Sequence, residues 1–519
     1  MPISHLSHRG TSSPQSIRTA PTWGHASIHP PDPHCVGPNW TLASYCISRV
    51  LASCIALLRF VEVPVDLLGL RVAKSPVLRS DQLDTLTVGP CGKVLSLPSL
   101  FAESIGGVAA ALTLGLRGHQ VILLEAAPQL AEVGAGIQIS PNMLKILERW
   151  GVSPTIHSKD VALEHIHVRR WQDGALLGTM PVNKTYGQQV VIHRADLHSA
   201  LVEHALALPN VELRLNSTVK SASHSPASVT LANGTVIDAD IVVAADGIKS
   251  TIRDHILGGS PSKPIPTGDA AYRIMLPRST MENDPDLKEL INQPQATRWL
   301  GPSRHVIAYP VRKHELFNVV LLHPDRHGVE ESWTTRGSKE EMKNDYLGWD
   351  RRVTKLIDLV PDDEVLEWKL CLHKPLNTWI RGSVALIGDA CHPMLPYVAQ
   401  GAAQAVEDAA ALGVLLSDIT SRREIPQVLE AYQLSRKHRA ETVQQSGTEN
   451  RITLHLPDGP EQEARDEQFL ASMKGGSNPD RWSDRETQRF LWGWDAEKAA
   501  LEAWEDLRNG RMTEARHHL

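Results

Sequence analysis

Three short and almost uninterrupted runs of apolar residues recur along the chain, at 121–125, 241–246 and 384–388. Strands of a parallel sheet are covered by helices on both faces, so they are apolar throughout instead of alternating. Stretches of small and apolar residues at 106–117 and 401–416 predict helices that pack closely against such strands. The pattern therefore predicts an α/β fold in which a Rossmann-like domain is assembled from distant parts of the chain.

The stretch between the second and third runs has a different pattern. Over 266–375 there are short strand-like segments that combine apolar and polar residues, such as "AAYRIMLP", "HVIAYPVR" and "LFNVVLLHP". Such segments are typical of strands that have one face in a core. This region is predicted to be an inserted β-rich domain. Antiparallel strands with a turn at Asn233–Gly234 precede it, and helical patterns follow from 401 to the C-terminus.

The first 92 residues differ from the rest of the chain, because they are rich in Ser, Pro and His and have no sustained period. They are interpreted as a disordered or loosely packed extension, or as a segment foreign to the ancestral domain. After them, "KVLSLPSLF" at 93–101 is expected to supply the first strand of the sheet. The fit is imperfect, because Pro98 interrupts the strand.

At 519 residues the chain is long enough for two or three domains, and its 42% hydrophobic and 22% charged residues are ordinary for a globular protein. The net charge of −6 disfavours nucleic acid as a partner. Six cysteines without metal or redox spacing indicate a reducing, cytoplasmic location and no metal site. Arg59, Glu62 and Asp66 interrupt the most apolar N-terminal stretch, so no membrane span is predicted. An acid-free start with Arg9 and Arg18 leaves organelle targeting as the alternative location.

The turn into the first predicted helix carries a damaged dinucleotide-binding motif. Such a loop uses three glycines, for a tight turn, for close approach of backbone to pyrophosphate, and for close packing of helix on strand. Gly107 holds the third position, but Ala102 and Ser104 occupy the first two, and Glu103 adds an unfavourable negative charge. Glu125 ends the next strand, where an acid can bind ribose hydroxyls. On these residues alone, a dinucleotide loop and a plain packing turn remain alternatives.

Two further acids end predicted strands. Asp246 is followed by Gly247 and a helix, so it either accepts hydrogen bonds near the phosphates or caps that helix. Asp389 begins a segment in which a proline-containing loop leads to a helix opened by Gly401. Asp389 is placed to accept hydrogen bonds from ligand hydroxyls, and the helix N-terminus at Ala402 is placed to stabilise negative charge.

Four segments together, "GDACHPMLPYVAQGAAQAVEDA", "AADG", "HRADLHSAL" and "LLEAAPQLAEVGAGIQISPN", resemble the single-component FAD-dependent aromatic hydroxylases, and most of all their salicylate hydroxylase-like branch. The resemblance covers about 104–500. It implies that the dinucleotide is FAD, that Glu125 binds the adenosine ribose and that Arg194 reaches the pyrophosphate region. Some members carry a histidine base where Gln138 stands, and glutamine cannot act as a base. The residues implied to bind FAD are Gly107, Glu125, Gly136, Gln138, Arg194, Asp246, Asp389 and Ala402.

The same resemblance implies a reaction and a substrate class. NADH or NADPH reduces FAD transiently, and one oxygen atom of O2 is transferred to a small aromatic acid or phenol, with or without decarboxylation. On the β-rich domain, Arg273 is a candidate to anchor a carboxylate and Tyr309 to hydrogen-bond a ring hydroxyl. Ordinary strand packing is the alternative for both residues. Tyr272 and His305 are weaker candidates, and His392 is interpreted as part of a structural turn.

Two other functions remain open. One is a non-catalytic or impaired member of the same fold that binds FAD weakly, because the first loop glycines are missing. The other is a flavin-dependent oxidase or dehydrogenase without oxygen insertion. The predicted division of the chain is 1–92, an atypical extension; 93–180, 181–265 and 376–450, three parts of the FAD-binding domain; 266–375, the substrate domain; and 451–519, a C-terminal helical tail.

Overall fold

The structure is a computed structural model, and it describes residues 84–88, 104–130, 134–182, 184–258, 263–326, 336–362 and 364–511. Strands and helices follow one another throughout these ranges. The strands are β1 (Asp84–Val88), β2 (Gln120–Leu124), β3 (Gly136–Ile139), β4 (Val161–Ala162), β5 (His165–Arg170), β6 (Leu176–Pro181), β7 (Val190–His193), β8 (Val211–Arg214), β9 (Val219–His224), β10 (Ala227–Leu231), β11 (Val236–Asp238), β12 (Ile241–Ala244), β13 (Ile265–Pro277), β14 (Gln295–Gly301), β15 (Arg304–Val311), β16 (Leu316–Pro324), β17 (Leu366–Leu372), β18 (Ile380–Arg381) and β19 (Val384–Leu386).

The α-helices of the described residues fall into two groups. Those that precede β17 connect or cover strands, and those that follow β19 make up the C-terminal part of the chain. They are α1 (Ile105–Leu116), α2 (Pro141–Arg149), α3 (Ser153–His157), α4 (Arg194–Leu206), α5 (Thr251–Leu257), α6 (Arg278–Met281), α7 (Pro285–Asn292), α8 (Lys339–Asp345), α9 (Arg351–Asp358), α10 (Gly401–Asp418), α11 (Ile425–Leu454), α12 (Pro460–Ser472), α13 (Arg485–Trp492) and α14 (Ala496–Arg508).

A six-stranded sheet with a parallel centre forms the first domain, in the order β18–β19–β12–β1–β2–β8. All neighbours in it run parallel except the short edge strand β18, which is antiparallel to β19. The three apolar runs in the sequence are β2, β12 and β19, and every side chain of β12 and β19 is buried. The prediction of a Rossmann-like α/β domain built from distant segments is confirmed.

The central strand β1 is Asp84–Val88, which pairs in parallel with β12 on one side and β2 on the other. The sequence predicts 93–101 in this place, which is wrong because 84–88 takes it. This strand also lies within the predicted extension 1–92; the other residues of that extension, like 93–101, lie outside the described residues. The segment "DTLTV" has three β-branched residues and an amide donor at every position, whereas Pro98 cannot donate within a central strand. Gly89 and Gly92 come shortly after this strand in the sequence, between β1 and α1.

The second domain is a seven-stranded sheet in the order β17–β13–β16–β15–β14–β5–β6. Its neighbours are antiparallel except β14 and β5, which run parallel. Because β5 and β6 pair here, the segment 93–180 is not confined to the FAD-binding domain, and that predicted boundary is corrected. β5 buries Ile166 and Val168 and leaves its other residues more accessible, which suits a sheet with one covered face.

A small sheet in the order β3–β7–β4 stands beside the two larger ones. β3 and β7 are antiparallel, with Gly136 opposite His193 and Gln138 opposite Val191. Helix α4 begins at Arg194, directly after β7. This short sheet therefore brings three of the predicted cofactor-binding residues to one place, since Gly136 and Gln138 lie on β3 and Arg194 directly follows β7.

The antiparallel strands β9, β10 and β11 form a further small sheet, and the turn predicted between two of its strands is confirmed. Gly234 has a φ of +87°, which a glycine adopts without strain. The amide of Thr235 donates to Oδ1 of Asn233 at 3.0 Å, and the amide of Leu231 donates to the carbonyl of Thr235 at 2.8 Å.

Helices α1, α10, α11 and α14 pack together over the first domain. α1 and α10 approach closely through small residues, since a Cβ on Gly413 would lie 2.4 Å from Oγ1 of Thr113. Glu497 of α14 pairs with Arg117 at 2.8 Å and with Arg149 at 2.5 Å, so the C-terminal segment packs back onto this layer. Among the described residues, no helix is both long and apolar enough to span a membrane.

Candidate active site

The carboxyl ends of the parallel strands hold two of the predicted cofactor-binding residues. Glu125 follows β2, is 1% exposed, and accepts a hydrogen bond from the amide of Ala127 at 2.8 Å through Oε1. Gly107 lies in the first turn of α1, where a Cβ would be 3.3 Å from the Cβ of Ala245. A side chain there would force helix and strand apart by a few tenths of an ångström. Gly107 therefore performs the close-packing role predicted for the third glycine of the loop.

Gly134, Gln138 and Arg194 lie at the junction of β3, β7 and α4. The amide of Arg194 donates to the carbonyl of Ala135 at 3.0 Å, and a Cβ on Gly134 would lie only 2.8 Å from the Cβ of Arg194. Gln138 is 9% exposed, and its Oε1 accepts from Nε2 of Gln189 at 2.9 Å. Because an amide does not titrate, Gln138 can offer hydrogen bonds here but no base.

Asp246 caps the start of α5. Its Oδ1 accepts from the hydroxyl of Ser250 at 2.5 Å, and its Oδ2 accepts from the amides of Thr251 and Ile252 at 2.9 and 3.1 Å. Burial raises the pKa of this carboxyl, and the hydrogen bonds from Ser250 and Ile252 oppose that rise. The structure thus supports the capping interpretation of Asp246, and its contact with a cofactor stays a prediction.

Asp389 lies in the turn that follows β19. The preceding Gly388 has a left-handed backbone with φ +58°, and a Cβ there would be 3.1 Å from the Cβ of Ala405, so the turn favours glycine for two reasons. Helix α10 begins at Gly401, no side chain caps its N-terminus, and Ala402 in its first turn is half-buried. The amides of this turn are available to a negatively charged group.

The charges near these elements indicate an enclosed cleft. Asp389 is exposed to solvent, yet protein surrounds it closely enough for burial to raise the pKa of its carboxyl, while His392 and Arg194 oppose the rise. Arg194 also helps to lower the pKa of Arg273, which lies on β13. Charged groups that are accessible to solvent but largely surrounded by protein are typical of ligand clefts. These electrostatic effects connect the β3–β7 junction, the turn after β19 and strand β13, and the region between these three elements is called the cleft below.

Arg273 and Tyr309 form the wall of this cleft on the second sheet. The guanidinium carbon of Arg273 lies 3.7 Å from the centre of the Trp368 ring, and its Nε has no hydrogen-bond partner among the described residues. Burial lowers the pKa of Arg273 to about 9, with Tyr309 opposing the shift and Arg194 adding to it. Burial also raises the pKa of Tyr309, against the effect of the positive Arg273. The two predicted catalytic residues thus lie near each other in a desolvated environment.

Tyr272 and His305, the weaker candidates, are engaged elsewhere. Tyr272 is adjacent to Arg273 and therefore points to the opposite face of β13, where it stacks on His323 with 4.3 Å between ring centres. Nδ1 of His305 lies 2.8 Å from Nε2 of His455, and burial lowers the pKa of His305 well below its ordinary value. Both side chains are therefore accounted for by contacts within the protein.

The residues around the cleft fit FAD. A buried acid follows β2, backbone at Gly134 and Gly136 approaches other chain segments too closely for a Cβ, and an uncapped helix start lies beside the turn of Asp389. Residues 104–446 match the family model of the FAD-binding domain. The chain belongs to the FAD-binding domain family.

Known relatives make the assignment more specific. The chain is 42% identical over 397 residues to the FAD-dependent monooxygenase atnJ of an Arthrinium species, with 76% of this chain and 93% of that protein covered. It is 32% identical over 408 residues to the 3-hydroxybenzoate 6-hydroxylase of Polaromonas naphthalenivorans, with 77% and 96% covered. A solved substrate complex of salicylate hydroxylase is similar with a TM-score of 0.66 and 26% identity, over 81% of this chain and 98% of that one. The protein is an FAD-dependent monooxygenase of the aromatic hydroxylase type, and the prediction of FAD as its cofactor is confirmed.

The site of this monooxygenase also contains residues that the sequence does not single out. Asn318 on β16 is completely buried, and its Oδ1 accepts a hydrogen bond from the amide of Gly136 at 2.7 Å. The signal in the sequence is a polar residue within the otherwise apolar "LFNVVLL". Trp368, beneath Arg273, carries no such signal, because a tryptophan on a strand ordinarily packs in a core.

A buried polar network lies behind the start of α10. Glu407 of α10 accepts hydrogen bonds from Arg436 at 2.5 Å and from Arg439 at 2.8 Å, and Asp408 accepts one from Arg436 at 2.9 Å. Burial alone would raise the pKa of Glu407, but Arg439 and Arg436 together hold it below the ordinary value. This network joins α10 to α11 in the core of the monooxygenase.

His392 belongs to the same network, which supports its interpretation as a structural residue. Its Nε2 lies 2.6 Å from Oδ2 of Asp408, and the same oxygen accepts from the amide of Gly388 at 3.0 Å. Asp408 therefore anchors the turn that carries Asp389 to the helix that begins at Gly401.

Proposed function

We propose that this monooxygenase uses NADH or NADPH and O2 to hydroxylate a small aromatic acid or phenol, with or without loss of a carboxyl group. The hydroxybenzoate named for one relative and the salicylate named for one solved structure support this substrate class. Bound FAD, reduced by the nicotinamide cofactor, supplies activated oxygen for the reaction. The protein itself must hold the ring at a fixed place and keep water away from the reacting atoms.

The observation that carries the proposal is the charge of Arg273. Its guanidinium lies on the Trp368 ring at 3.7 Å and has no ion pair among the described residues. A desolvated cation without a partner is unfavourable, and a bound carboxylate would remove that penalty. The planar fork of an arginine also matches both oxygens of a carboxylate. We therefore expect an aromatic acid to be preferred over an uncharged phenol.

Tyr309 is assigned to the hydroxyl of the ring. Because burial raises its pKa, the phenol keeps its proton at neutral pH and can donate a hydrogen bond. Donation to a substrate oxygen would favour a negative charge on that oxygen and so increase the electron density of the ring. Gln138 cannot take the proton, so in this proposal the proton leaves through solvent or through another group.

The cofactor is assigned to the residues at the ends of the parallel strands and at the β3–β7 junction. Glu125 would bind the adenosine ribose, and Arg194 would lie toward the pyrophosphate. The groups around the cleft that would contact the flavin are Gly136, Gln138, Asp389 and the α10 amides at Ala402. Gly107 would bring α1 close to the sheet beside the phosphates.

The experiment begins with the visible absorption spectrum of the purified chain with and without added FAD. NADH and NADPH oxidation is then followed with salicylate, with 3-hydroxybenzoate and with the methyl ester of each. We expect a bound flavin spectrum, and oxidation that at least one of the acids stimulates and its ester does not. Labelled O2 should place one labelled oxygen atom in the ring, and released CO2 would report decarboxylation.

Two outcomes would favour the alternatives. A colourless protein that does not respond to FAD would indicate the impaired member of the fold. Stimulated NAD(P)H oxidation that gives only hydrogen peroxide with every acid would indicate an oxidase without oxygen insertion. Stimulation by ester and acid alike would leave the reaction class intact but remove the assigned role of Arg273.

A further inference from the structure

Asn318 occupies an unusual position for an amide side chain. It lies on β16 directly opposite Tyr309 of β15 and opposite Met275 of β13, so it stands at the centre of the sheet that carries the proposed substrate wall. Its side chain is 0% exposed. An apolar residue would fit a purely packing role better, because a buried amide is unfavourable unless it forms hydrogen bonds.

Asn318 connects this sheet to a different one. Its Oδ1 accepts from the amide of Gly136 on β3 at 2.7 Å. A Cβ on Gly136 would lie 2.6 Å from Cε2 of Tyr309 and 2.7 Å from Cγ of Asn318. The three residues are therefore interlocked, and the distance between β3 and the Tyr309 strand is set by direct contact with no side chain between them.

The orientation of the Asn318 amide follows from this bond, because the Gly136 amide can only donate. The other end, Nδ2, is buried and has no hydrogen-bond partner among the described residues. An unsatisfied buried donor is unfavourable, so asparagine is retained here at a cost to stability. The hydrogen bond from the Gly136 amide is the favourable interaction that asparagine provides at this position.

We infer that Asn318 is a positioning residue that fixes the 134–139 segment, and with it the flavin, at a set distance from Tyr309. This inference rests on the proposed placement of Gly136 and Gln138 beside the flavin. Oxygen transfer to a ring requires the cofactor and the substrate at a fixed separation, and small displacements reduce the yield strongly. Loss of the Asn318 bond should therefore affect FAD binding and coupling more than folding.

The test compares two variants whose side chains have the same number and branching of heavy atoms as asparagine. Asn318→Leu removes the acceptor without opening a cavity, and Asn318→Asp keeps an acceptor for the Gly136 amide. The control is Asn210→Leu, since Nδ2 of Asn210 donates to the carbonyls of Gly115 and His119 at 2.9 and 2.6 Å, before the amino end of β2 and away from the cleft. Thermal unfolding of each apoprotein shows whether the variants are folded.

Two measurements need no substrate, so they decide the role of Asn318 even if the proposed substrate class is wrong. Hydrogen exchange of peptides covering 134–140 in the apoprotein should be at least tenfold faster in Asn318→Leu and close to wild type in Asn318→Asp. FAD affinity, from quenching of flavin fluorescence, should fall about fivefold to tenfold in Asn318→Leu only. Wild-type exchange and affinity in a folded Asn318→Leu protein would overturn the inference, as would equal losses in Asn210→Leu.

If Asn318→Leu does not fold, Asn318→Asp decides alone. We then expect it to retain slow exchange over 134–140 while the fraction of NAD(P)H oxidation that ends as hydrogen peroxide changes at least twofold, because the buried carboxylate alters the flavin surroundings. Fast exchange in a folded Asn318→Asp protein would contradict the role of the acceptor.

Discussion

Two buried arginines of helix α11 and one half-buried arginine of strand β13 have opposite surroundings. Arg436 and Arg439 of α11 are 0% and 3% exposed, and both bond to Glu407 of α10. Arg273 of β13 lies against the ring of Trp368 and forms no ion pair with a described residue. One set holds two helices together, and the other stands in the wall of a cleft.

The pKa values of Arg436 and Arg273 differ in the same way, whereas at Arg439 burial outweighs the effect of Glu407 and lowers the pKa. Burial alone lowers the pKa of a guanidinium, but Glu407 and Asp408 outweigh that effect at Arg436 and raise its pKa. At Arg273 burial dominates, and the pKa falls to about 9. A buried charge satisfied within the protein supports the fold, whereas an unsatisfied one beside a cleft indicates the place of a ligand.

The largest effect is expected from breaking the satisfied set. Arg436→Met removes the guanidinium that Glu407 and Asp408 share and leaves both buried carboxylates with fewer partners, so the free energy of unfolding should fall by about 3–5 kcal/mol. Urea unfolding of the apoprotein at pH 7 measures this change. The control is Arg508→Met, whose exposed ion pair with Asp418 should contribute less than about 1 kcal/mol. Similar losses in the two variants would contradict the structural role of the network.

Substitution of Arg273 should affect ligand binding and not stability. Arg273→Met should leave the free energy of unfolding unchanged or slightly increased, because it removes an unpaired buried charge. The affinity for an aromatic acid should fall about 10-fold to 100-fold, the effect of losing one charged hydrogen bond or two. Arg273→Lys keeps the charge but not the planar fork, so its affinity for the acid should lie between those of the wild type and Arg273→Met. The methyl ester of the acid should bind the wild type and both variants alike. These affinities are measured by titration of the flavin spectrum, and a loss of stability without a loss of affinity would place Arg273 with the structural arginines.

The sequence predicts much of the fold because the decisive patterns are local. Runs that are apolar throughout mark β2, β12 and β19, and the small residues after Gly401 mark α10. β1 escapes prediction because five residues carry little signal, and the strand is defined by its pairing, for example of Thr85 with Ile241 and with Val121. Such pairings lie too far apart in sequence for a local pattern to reveal them.

The same distinction holds for the site. The sequence can propose the acids at strand ends and the candidates Arg273 and Tyr309, because strand ends and strand faces follow from the pattern, and their roles stay predictions. The bond between Asn318 and Gly136 joins residues of separate sheets. It depends on how those sheets pack, which no single segment of the sequence encodes.

His119 tests whether an unsatisfied buried group is by itself enough to mark a site. It is 6% exposed, neither ring nitrogen has a partner among the described residues, and burial, with a smaller contribution from Arg117, lowers its pKa to about 4. The neutral ring therefore favours folding above the unfolded pKa of about 6.5, and this stability is lost as the pH falls toward 4. His119→Leu should reduce the loss of unfolding free energy between pH 7 and pH 5 by about 1–2 kcal/mol, measured by urea unfolding, and should leave FAD affinity unchanged. A change in FAD affinity would show that a buried group without a partner marks a ligand site even away from the cleft, so that position beside the cleft is not what distinguishes Arg273.

Asp246 is the intermediate case, a satisfied carboxylate on the cofactor side of the first domain. Both of its oxygens accept hydrogen bonds from the start of α5, so Asp246→Ala should lower the free energy of unfolding by about 1 kcal/mol. If the carboxylate serves only the helix, FAD affinity should change less than threefold. Asp284→Ala is the matched control, since Asp284 caps α7 in the second domain through the amides of Asp286 and Leu287 at 2.9 and 3.3 Å. If Asp246→Ala weakened FAD binding tenfold while Asp284→Ala did not, the carboxylate would serve the cofactor as well as the helix. Hydrogen bonding of a buried charge within the protein would then no longer distinguish structural from functional charges in this protein.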